Sequence, residues 1–546
     1  MKRRNFVKLT ATASAASLMP FEVKAIMESD EVKNCDFSNR KLILINLDGG
    51  NDGLNTIVPL NQYDIYSNVR PTIKVPETGL NKYITLDNSL AANQQVGLHP
   101  ALTEFKSLYD AGNMRVIQGV GYPAQNKSHF ASSDKIMTGN DGNSWDNGKG
   151  SGWIGRYMEQ MYFDELGANY PFAVQMGNVK NSLGFHGEHE HGMNMNITNQ
   201  DASGFYSIIN GLGGESPFNI PQGTDYGMEL DYIVQTDKLA NIYASAISEA
   251  FNAGVNSENY PETDLANQLK TVARLIKGGL DSKIYMVRLR GFDTHNTQLE
   301  IGGNAILGRH NTLLETLSGA VGAFMNDMEA LGLEEELTAI TYSEFGRKVA
   351  ENGNLGTDHG EIAPMFVFGK TIEGGISGFN PDLNEASEEN NWQIKTVQHD
   401  YRAVFGTLLN DWMGGDDSII DETFINHTTS ESFNDSKLDD LVLESFKINA
   451  DCSTSVRKEP ISGNTNLSWS ASPNPFIDSI VLRSENDVDK VIIQVYSQNG
   501  RLVKATNSNY TNGKINLDLS SLSMGIYNIK ISSGGTPADV LKVFKR

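Results

Sequence analysis

Short apolar runs alternate with segments of helical periodicity through most of the chain. Runs such as KLILINL, MRVIQGVG, KIYMVRLR, LTAITYS and MFVFG are continuous enough to predict strands buried on both faces. Between them, segments such as ALTEFKSLYDAG, SHFASSDKIMTG and DYRAVFGTLLNDWMG repeat their apolar residues at helical spacing. This alternation predicts an α/β domain over residues 39–447, with a mostly parallel sheet flanked by helices on both faces.

The pattern changes near the C-terminus. Residues 453–470 are rich in Ser, Thr and Asn without a clear period, which predicts a linker. Residues 471–546 alternate apolar and polar side chains, and Asn499-Gly500 is a typical hairpin turn. We therefore predict a separate small β-sandwich there.

The N-terminus has the layout of an export signal. A basic start precedes a modest apolar stretch and a short segment ending at Ala25, which predicts a signal peptide over residues 1–25. The string RRNFVK resembles the twin-arginine signal, although a chance Arg-Arg in an ordinary signal would look similar. No other segment is predicted to cross the membrane.

Net charge and cysteine content limit which partners and cross-links are expected. The 546 residues carry a formal net charge of −23, and no basic patch is evident, so nucleic acid is not an expected partner. The two cysteines, Cys35 and Cys452, bracket the predicted α/β domain. They could form a disulfide in an oxidising compartment or be two unrelated thiols, and the sequence leaves both possibilities open.

Polar and charged residues follow the predicted strands where each one ends. Because the carboxyl ends of parallel strands meet at one edge of a sheet, we expect these side chains to converge. Carboxylates and imidazoles are ligands for divalent metals, and a hydroxyl at a helix start is a plausible nucleophile. The predicted metal ligands are Asp48, Asp293, His295, Glu344, Asp358 and His359, and the predicted catalytic residues are Ser128 and Arg347.

Each of these residues also has a purely structural interpretation. Asp48 and Ser128 could cap a turn or a helix, and Glu344 with Arg347 could form an ion pair. The hypothesis that all of these residues are purely structural is less favoured than a metal site. A further group, His186, Glu188, His189 and His191, lies in a predicted loop with nothing to place it at the sheet edge, so it is interpreted as a solvated loop.

Several motifs resemble known families. The strings LINLDGGNDGLNT, GWIGRY, GFDTHNTQ and SEFGRKVAENGNLGTDHG resemble the secreted domain-of-unknown-function 1501 family, which is similar in fold to the alkaline phosphatase and sulfatase superfamily. The order PNPF, VYSQNGRLV, LSSLSMGIYNIKI and KVFKR resembles a type A sorting domain of type IX secretion. The sorting-domain resemblance implies handling by the type IX machinery, and the RRNFVK string implies the twin-arginine translocase as a further partner. Together they imply export through the periplasm to the cell surface or extracellular space.

The superfamily resemblance implies roles for particular residues. Asp48 matches the first metal aspartate, Ser128 the nucleophile, and His359 the late histidine. The sequence departs from the superfamily pattern at Phe345, where a histidine ligand is expected, and in the short spacing of Asp293 and His295. The resulting hypothesis is a hydrolase of phosphate or sulfate esters that uses Zn, Ca, Mg or Mn. The alternative is a non-catalytic surface protein of the same fold that binds glycan or protein.

Overall fold

The computed structural model describes these residues: 37–140, 151–162, 169–177, 183–185, 195–197, 243–300, 308–424, 436–448, 469–473, 476–484, 490–497, 502–509, 514–520, 522, 525–533 and 539–545. The predicted signal peptide, both cysteines, the Asn499-Gly500 turn and the histidine-rich segment around His189 lie outside them.

A large sheet forms the centre of the α/β domain. Its strands in the described residues are Lys41–Asp48 (β1), Met114–Gly121 (β5), Ala173–Met176 (β6), Met195–Ile197 (β7), Ile284–Arg290 (β8), Leu337–Tyr342 (β9), Ala363–Phe368 (β12), Gly375–Ser377 (β13) and His399–Asp400 (β14). Smaller pairings use Ile57–Pro59 (β2), Ile84–Thr85 (β3), Val96–Leu98 (β4), Gly346–Arg347 (β10) and His359–Gly360 (β11).

The strand order within the described sheet is β13-β5-β12-β9-β1-β8-β6-β7, with β14 also paired to β5. β12 runs antiparallel to both of its neighbours, while the other pairings are parallel. The prediction of a mostly parallel sheet is therefore confirmed. The carboxyl ends of β1, β5, β8 and β9 consequently lie at one edge.

Helices cover both faces of this sheet. The described α-helices are Gly53–Thr56 (α1), Tyr63–Val69 (α2), Thr103–Asp110 (α3), His129–Thr138 (α4), Trp153–Met161 (α5), Asp264–Lys277 (α6), Arg309–Ala330 (α7), Tyr401–Thr407 (α8) and Asp417–Thr423 (α9), and residues 243–253 are also helical. No helix among those described is both long enough and apolar enough to cross a membrane.

Alternation along β1 shows why the sheet is buried on both sides. Ile43, Ile45 and Leu47 face one hydrophobic core, and Leu42 and Leu44 face the other. All five are at most 1% exposed, as expected for a central strand whose side chains alternate between two covered faces.

The C-terminal residues form two antiparallel sheets around their own core, as predicted for a sandwich. One sheet has the order β15-β16-β19 and the other β18-β17-β20-β21. Their strands are Trp469–Ser472 (β15), Ser479–Ser484 (β16), Lys490–Ser497 (β17), Leu502–Asn509 (β18), Ile515–Asp518 (β19), Gly525–Ser533 (β20) and Asp539–Lys545 (β21).

Candidate metal centre

Three histidines point their rings at one carboxylate at the carboxyl edge of the sheet. Asp293 follows β8, and its Oδ1 lies 3.4 Å from Nε2 of both His295 and His359. Its Oδ2 lies 3.5 Å from Nε2 of His129, the first residue of α4. The two nitrogens of His295 and His359 are only 2.8 Å apart. Four side chains from three separate segments of the chain therefore share one small volume.

The other ring nitrogen of each histidine faces an oxygen acceptor. Nδ1 of His359 lies 2.8 Å from the carbonyl oxygen of Lys127, which can only accept, so this nitrogen carries the proton. Nδ1 of His129 lies 2.8 Å from Glu344 Oε1, and Nδ1 of His295 lies 3.1 Å from Asp358 Oδ1. In the neutral rings these partners assign the proton to Nδ1 and leave a lone pair on every Nε2.

The Asp358 carboxylate is a true acceptor. Burial alone would raise its pKa, but hydrogen bonds from Asn352, His295 and Lys348 lower the pKa to about 2. Glu344 also accepts, since the backbone N–H of Gly49 lies 2.9 Å and 3.2 Å from its two oxygens. The histidines are thus oriented by outer acceptors in the way that histidine ligands of metals usually are.

Charges around the cluster shift its pKa values in opposite directions. The hydrogen bond to Glu344 raises the pKa of His129, against the effect of burial. Burial, together with the charge of Arg347, lowers the pKa of His359. For Asp293, burial raises the pKa, but the hydrogen bond and charge of Arg347 and the nearby histidines lower it overall. Asp293 is therefore an ionised carboxylate next to three imidazole rings.

This arrangement fits a divalent metal ion. Ligand atoms of His129, Asp293 and His359 all lie within 4.8 Å of one another. Two lone pairs facing each other at 2.8 Å repel unless a proton or a cation lies between them, and His295 and His359 present such a pair. Imidazole nitrogen with carboxylate oxygen is a donor set for Zn, Mn and similar metals.

Phe345 forms one wall of the cluster. It lies where the superfamily resemblance expects a histidine, and it is 2% exposed. Its ring centroid is 4.4 Å from that of His359 and 4.9 Å from that of His129. The ring therefore packs against two candidate ligands and supplies no ligand itself.

The side chain of Arg347 has no exposed surface. Its guanidinium donates to the carbonyl oxygens of Gly49, Gly50, Phe292 and Thr357. It also donates to Asp293 Oδ1 at 2.8 Å. These bonds fix the loop after β1 against the loop after β8, so the structure gives Arg347 a scaffolding position. Its predicted part as an oxyanion partner remains a prediction.

Two other predicted residues, Asp48 and Ser128, have different surroundings. Asp48 Oδ1 pairs at 2.6 Å with Nη2 of Arg288, which lies on the neighbouring strand β8. Ser128 occupies the N-cap position of α4 and is exposed, and its side chain does not cap the helix. Their predicted roles as ligand and nucleophile are not tested by these contacts.

Glu344 and Asp358, which were predicted as ligands, accept hydrogen bonds from the Nδ1 atoms of His129 and His295. His129 lies in the cluster although it was not predicted as a ligand. The superfamily resemblance points to the neighbouring Ser128, and His129 is not among the predicted ligands. The signal that could have found it is its position after β5, a strand that ends at the same edge as β8.

Comparison with known proteins supports the two resemblances. Residues 227–415 match the family model described as "Protein of unknown function (DUF1501)". The resemblance to that family is confirmed. Residues 470–545 match the "Secretion system C-terminal sorting domain", which implies type IX handling and export to the cell surface or extracellular space. A search of curated proteins gives no match.

Solved structures that resemble the chain share little sequence with it. Latent PorU from Porphyromonas gingivalis is 21% identical over 14% of this chain and only 9% of its own length, with a TM-score of 0.12. A protein from a glycosaminoglycan-metabolism locus of Bacteroides thetaiotaomicron is 9% identical, covering 87% of this chain and 90% of that one, with a TM-score of 0.33. A protein in the alkaline phosphatase superfamily from Vibrio parahaemolyticus is 9% identical, covering 88% and 82%, with a TM-score of 0.30.

Proposed function

We propose that this exported protein is a metal-dependent hydrolase of phosphate or sulfate esters. The observation that carries the proposal is the convergence of three Nε2 atoms, from His129, His295 and His359, on the Asp293 carboxylate. The Nε2 atoms of His295 and His359 are 2.8 Å apart, and two lone pairs at that distance repel unless a proton or a cation lies between them.

The ligand atoms limit which metal ions the site would favour. Three nitrogens and one oxygen suit Zn or Mn better than Ca or Mg, which prefer oxygen ligands throughout. His129, Asp293, His295 and His359 would hold the ion. A divalent metal in such a site supplies Lewis-acid polarisation of the ester oxygens.

The chain's own residues orient the site and shield it. Arg347 fixes Asp293, and Phe345 covers one side of the histidines with an apolar ring. Ser128 is exposed, directly precedes His129 and does not cap its own helix, so its hydroxyl is the candidate nucleophile. The N-terminus of α4 adds a partial positive charge beside that hydroxyl.

One observation favours the non-catalytic alternative, in which the site organises a surface that binds glycan or protein. The cations next to the cluster are already engaged: Lys127 pairs with Glu361 at 2.9 Å and Lys348 with Asp358 at 3.2 Å. Arg347 bonds to backbone carbonyls. An anionic ester would therefore depend on the metal and on Ser128 for most of its attraction.

Elemental analysis and ester assays of the full chain test the proposal. We expect about one Zn or Mn per chain in the wild type, and its loss in His359→Ala and Asp293→Asn. His399→Ala is the matched control, because His399 lies on β14 outside the cluster, and its metal content should not change.

The ester assays use a panel of phosphate and sulfate esters, with Ser128→Ala included. Hydrolysis that disappears in His359→Ala and Ser128→Ala but persists in the control supports the hydrolase. A full metal content without hydrolysis of any ester favours the binding alternative. Wild-type protein without bound metal overturns both the metal site and the hydrolase.

A further inference from the structure

A buried glutamine beneath the candidate metal centre contacts both loops that carry its ligands. Gln298 is 3% exposed. Its Oε1 accepts hydrogen bonds from Thr294 Oγ1 at 3.1 Å and from Thr357 Oγ1 at 3.0 Å. Thr294 lies between Asp293 and His295, and Thr357 lies two residues before His359. One amide oxygen thus joins the two ligand loops.

The buried ion pair behind Gln298 fixes which way its amide faces. Gln298 Nε2 lies 2.6 Å from Asp52 Oδ2. Both oxygens of Asp52 also accept from Arg70 Nη1, at 2.8 Å and 2.7 Å, and both of these side chains have no exposed surface. A carboxylate paired in this way can only accept, so the amide nitrogen faces it and the amide oxygen faces the two threonines.

The two loops also touch each other through their backbones. The N–H of Thr357 donates to the carbonyl of Thr294 at 3.1 Å. A Cβ placed on Gly356 would lie 2.2 Å from that same carbonyl oxygen, so the approach leaves no space. Asn352 Nδ2 spans the same gap, donating to the His295 carbonyl at 2.8 Å and to Asp358 at 3.1 Å.

We propose that Gln298 is a positioning residue that sets the spacing between the loop of Asp293 and His295 and the loop of Asp358 and His359. This inference rests on the proposed metal site. Ligand atoms must be held within about 0.5 Å of the binding geometry, and buried hydrogen bonds are the means by which proteins hold them. Asp52 and Arg70 anchor the amide, and the two threonine hydroxyls transmit its position to the ligands.

Competition of the full-length apo protein for Zn²⁺ with a coloured chelator measures the effect. Gln298→Met keeps the length and removes the amide, and Thr357→Val removes one hydroxyl with little change of shape. We expect each to raise the Kd for Zn²⁺ by about 10- to 100-fold, as outer-sphere substitutions do. Thr357→Ser keeps the hydroxyl and should retain a Kd close to that of the wild type.

Thr338→Val separates positioning from general stability. Thr338 is buried, and its hydroxyl bonds to that of Thr371 at 3.0 Å, outside the ligand loops. Its Tm should fall about as much as that of Thr357→Val while its Kd for Zn²⁺ stays unchanged.

The outcomes separate this inference from the proposed function. If the wild type binds Zn²⁺ and both Gln298→Met and Thr357→Val bind it within about threefold as tightly, the positioning role is wrong and the metal site stands. An equal loss of affinity in Thr338→Val also overturns the positioning role. If the wild type itself does not bind Zn²⁺ or Mn²⁺, the proposed metal site fails first.

Discussion

Removal of Arg70 should destabilise the α/β domain severely. Its guanidinium pairs with Asp52 and also donates to the carbonyls of Val349 and Lys348, each at 2.7 Å, and to Asn55 Oδ1 at 2.8 Å. Arg70→Met leaves the Asp52 carboxylate buried without its counter-charge. Breaking one side of a buried pair costs about 3–5 kcal/mol, a large share of the roughly 5–15 kcal/mol that stabilises a folded domain.

The loss should depend on pH with a definite sign. Burial alone would raise the pKa of Asp52, but the charge and hydrogen bonds of Arg70 lower it below its usual value. In the wild type the ionised carboxylate therefore stabilises the fold above the unfolded pKa of about 3.9, and this contribution disappears as the pH falls through the folded pKa. In Arg70→Met, burial without Arg70 raises the folded pKa of Asp52, so protonation relieves the penalty as the pH falls. The difference between the two proteins should narrow toward low pH.

Urea unfolding followed by tryptophan fluorescence, at about pH 7.5 and about pH 4.5, measures this difference. Trp153 and Trp412 are fully buried in this domain and report its unfolding. The double variant Arg70→Met with Asp52→Asn removes both charges and should recover part of the lost stability. A loss below about 1 kcal/mol at pH 7.5, or an equal loss at both pH values, would refute the reasoning.

Three further predictions concern the loop after β1, the wall of the cluster and the tail. Gly49 has φ +124°, and a Cβ there would lie 2.2 Å from the backbone nitrogen of Asp293. Gly49→Ala should therefore lower the free energy of unfolding by about 1–3 kcal/mol in urea titrations. Unchanged stability would contradict this crowding. Phe345→Leu opens the wall beside the histidines and should weaken Zn²⁺ binding in the chelator assay, whereas the exposed control Phe379→Leu should not. Deletion of residues 470–545 should leave the protein in the periplasm when cell fractions are probed by immunoblot, and surface display of the truncated chain would be evidence against the sorting role.

The sequence by itself determined the layered fold and the sheet edge at which the candidate site lies. Continuous apolar runs such as β1 can be buried only if both faces of the sheet are covered, and that requirement is local to the run. Strand–helix alternation then makes the strands parallel and brings their carboxyl ends together. The positions of Asp293, Glu344 and His359 at one edge of the sheet follow from this strand arrangement.

Only the tertiary structure decided which atoms meet there. Glu344 bonds to His129 across 215 positions of the chain, and no local period encodes such a contact. Because β1 pairs with β8, Asp48 forms an ion pair with Arg288. Because β10 pairs with β11, Arg347 lies opposite His359. Hydrogen bonds between distant loops depend on side-chain direction and strand register, which form when the whole sheet packs. The sequence therefore predicted which edge of the sheet carries the polar residues. Packing decided which of them face the common centre and which accept hydrogen bonds from the clustered histidines.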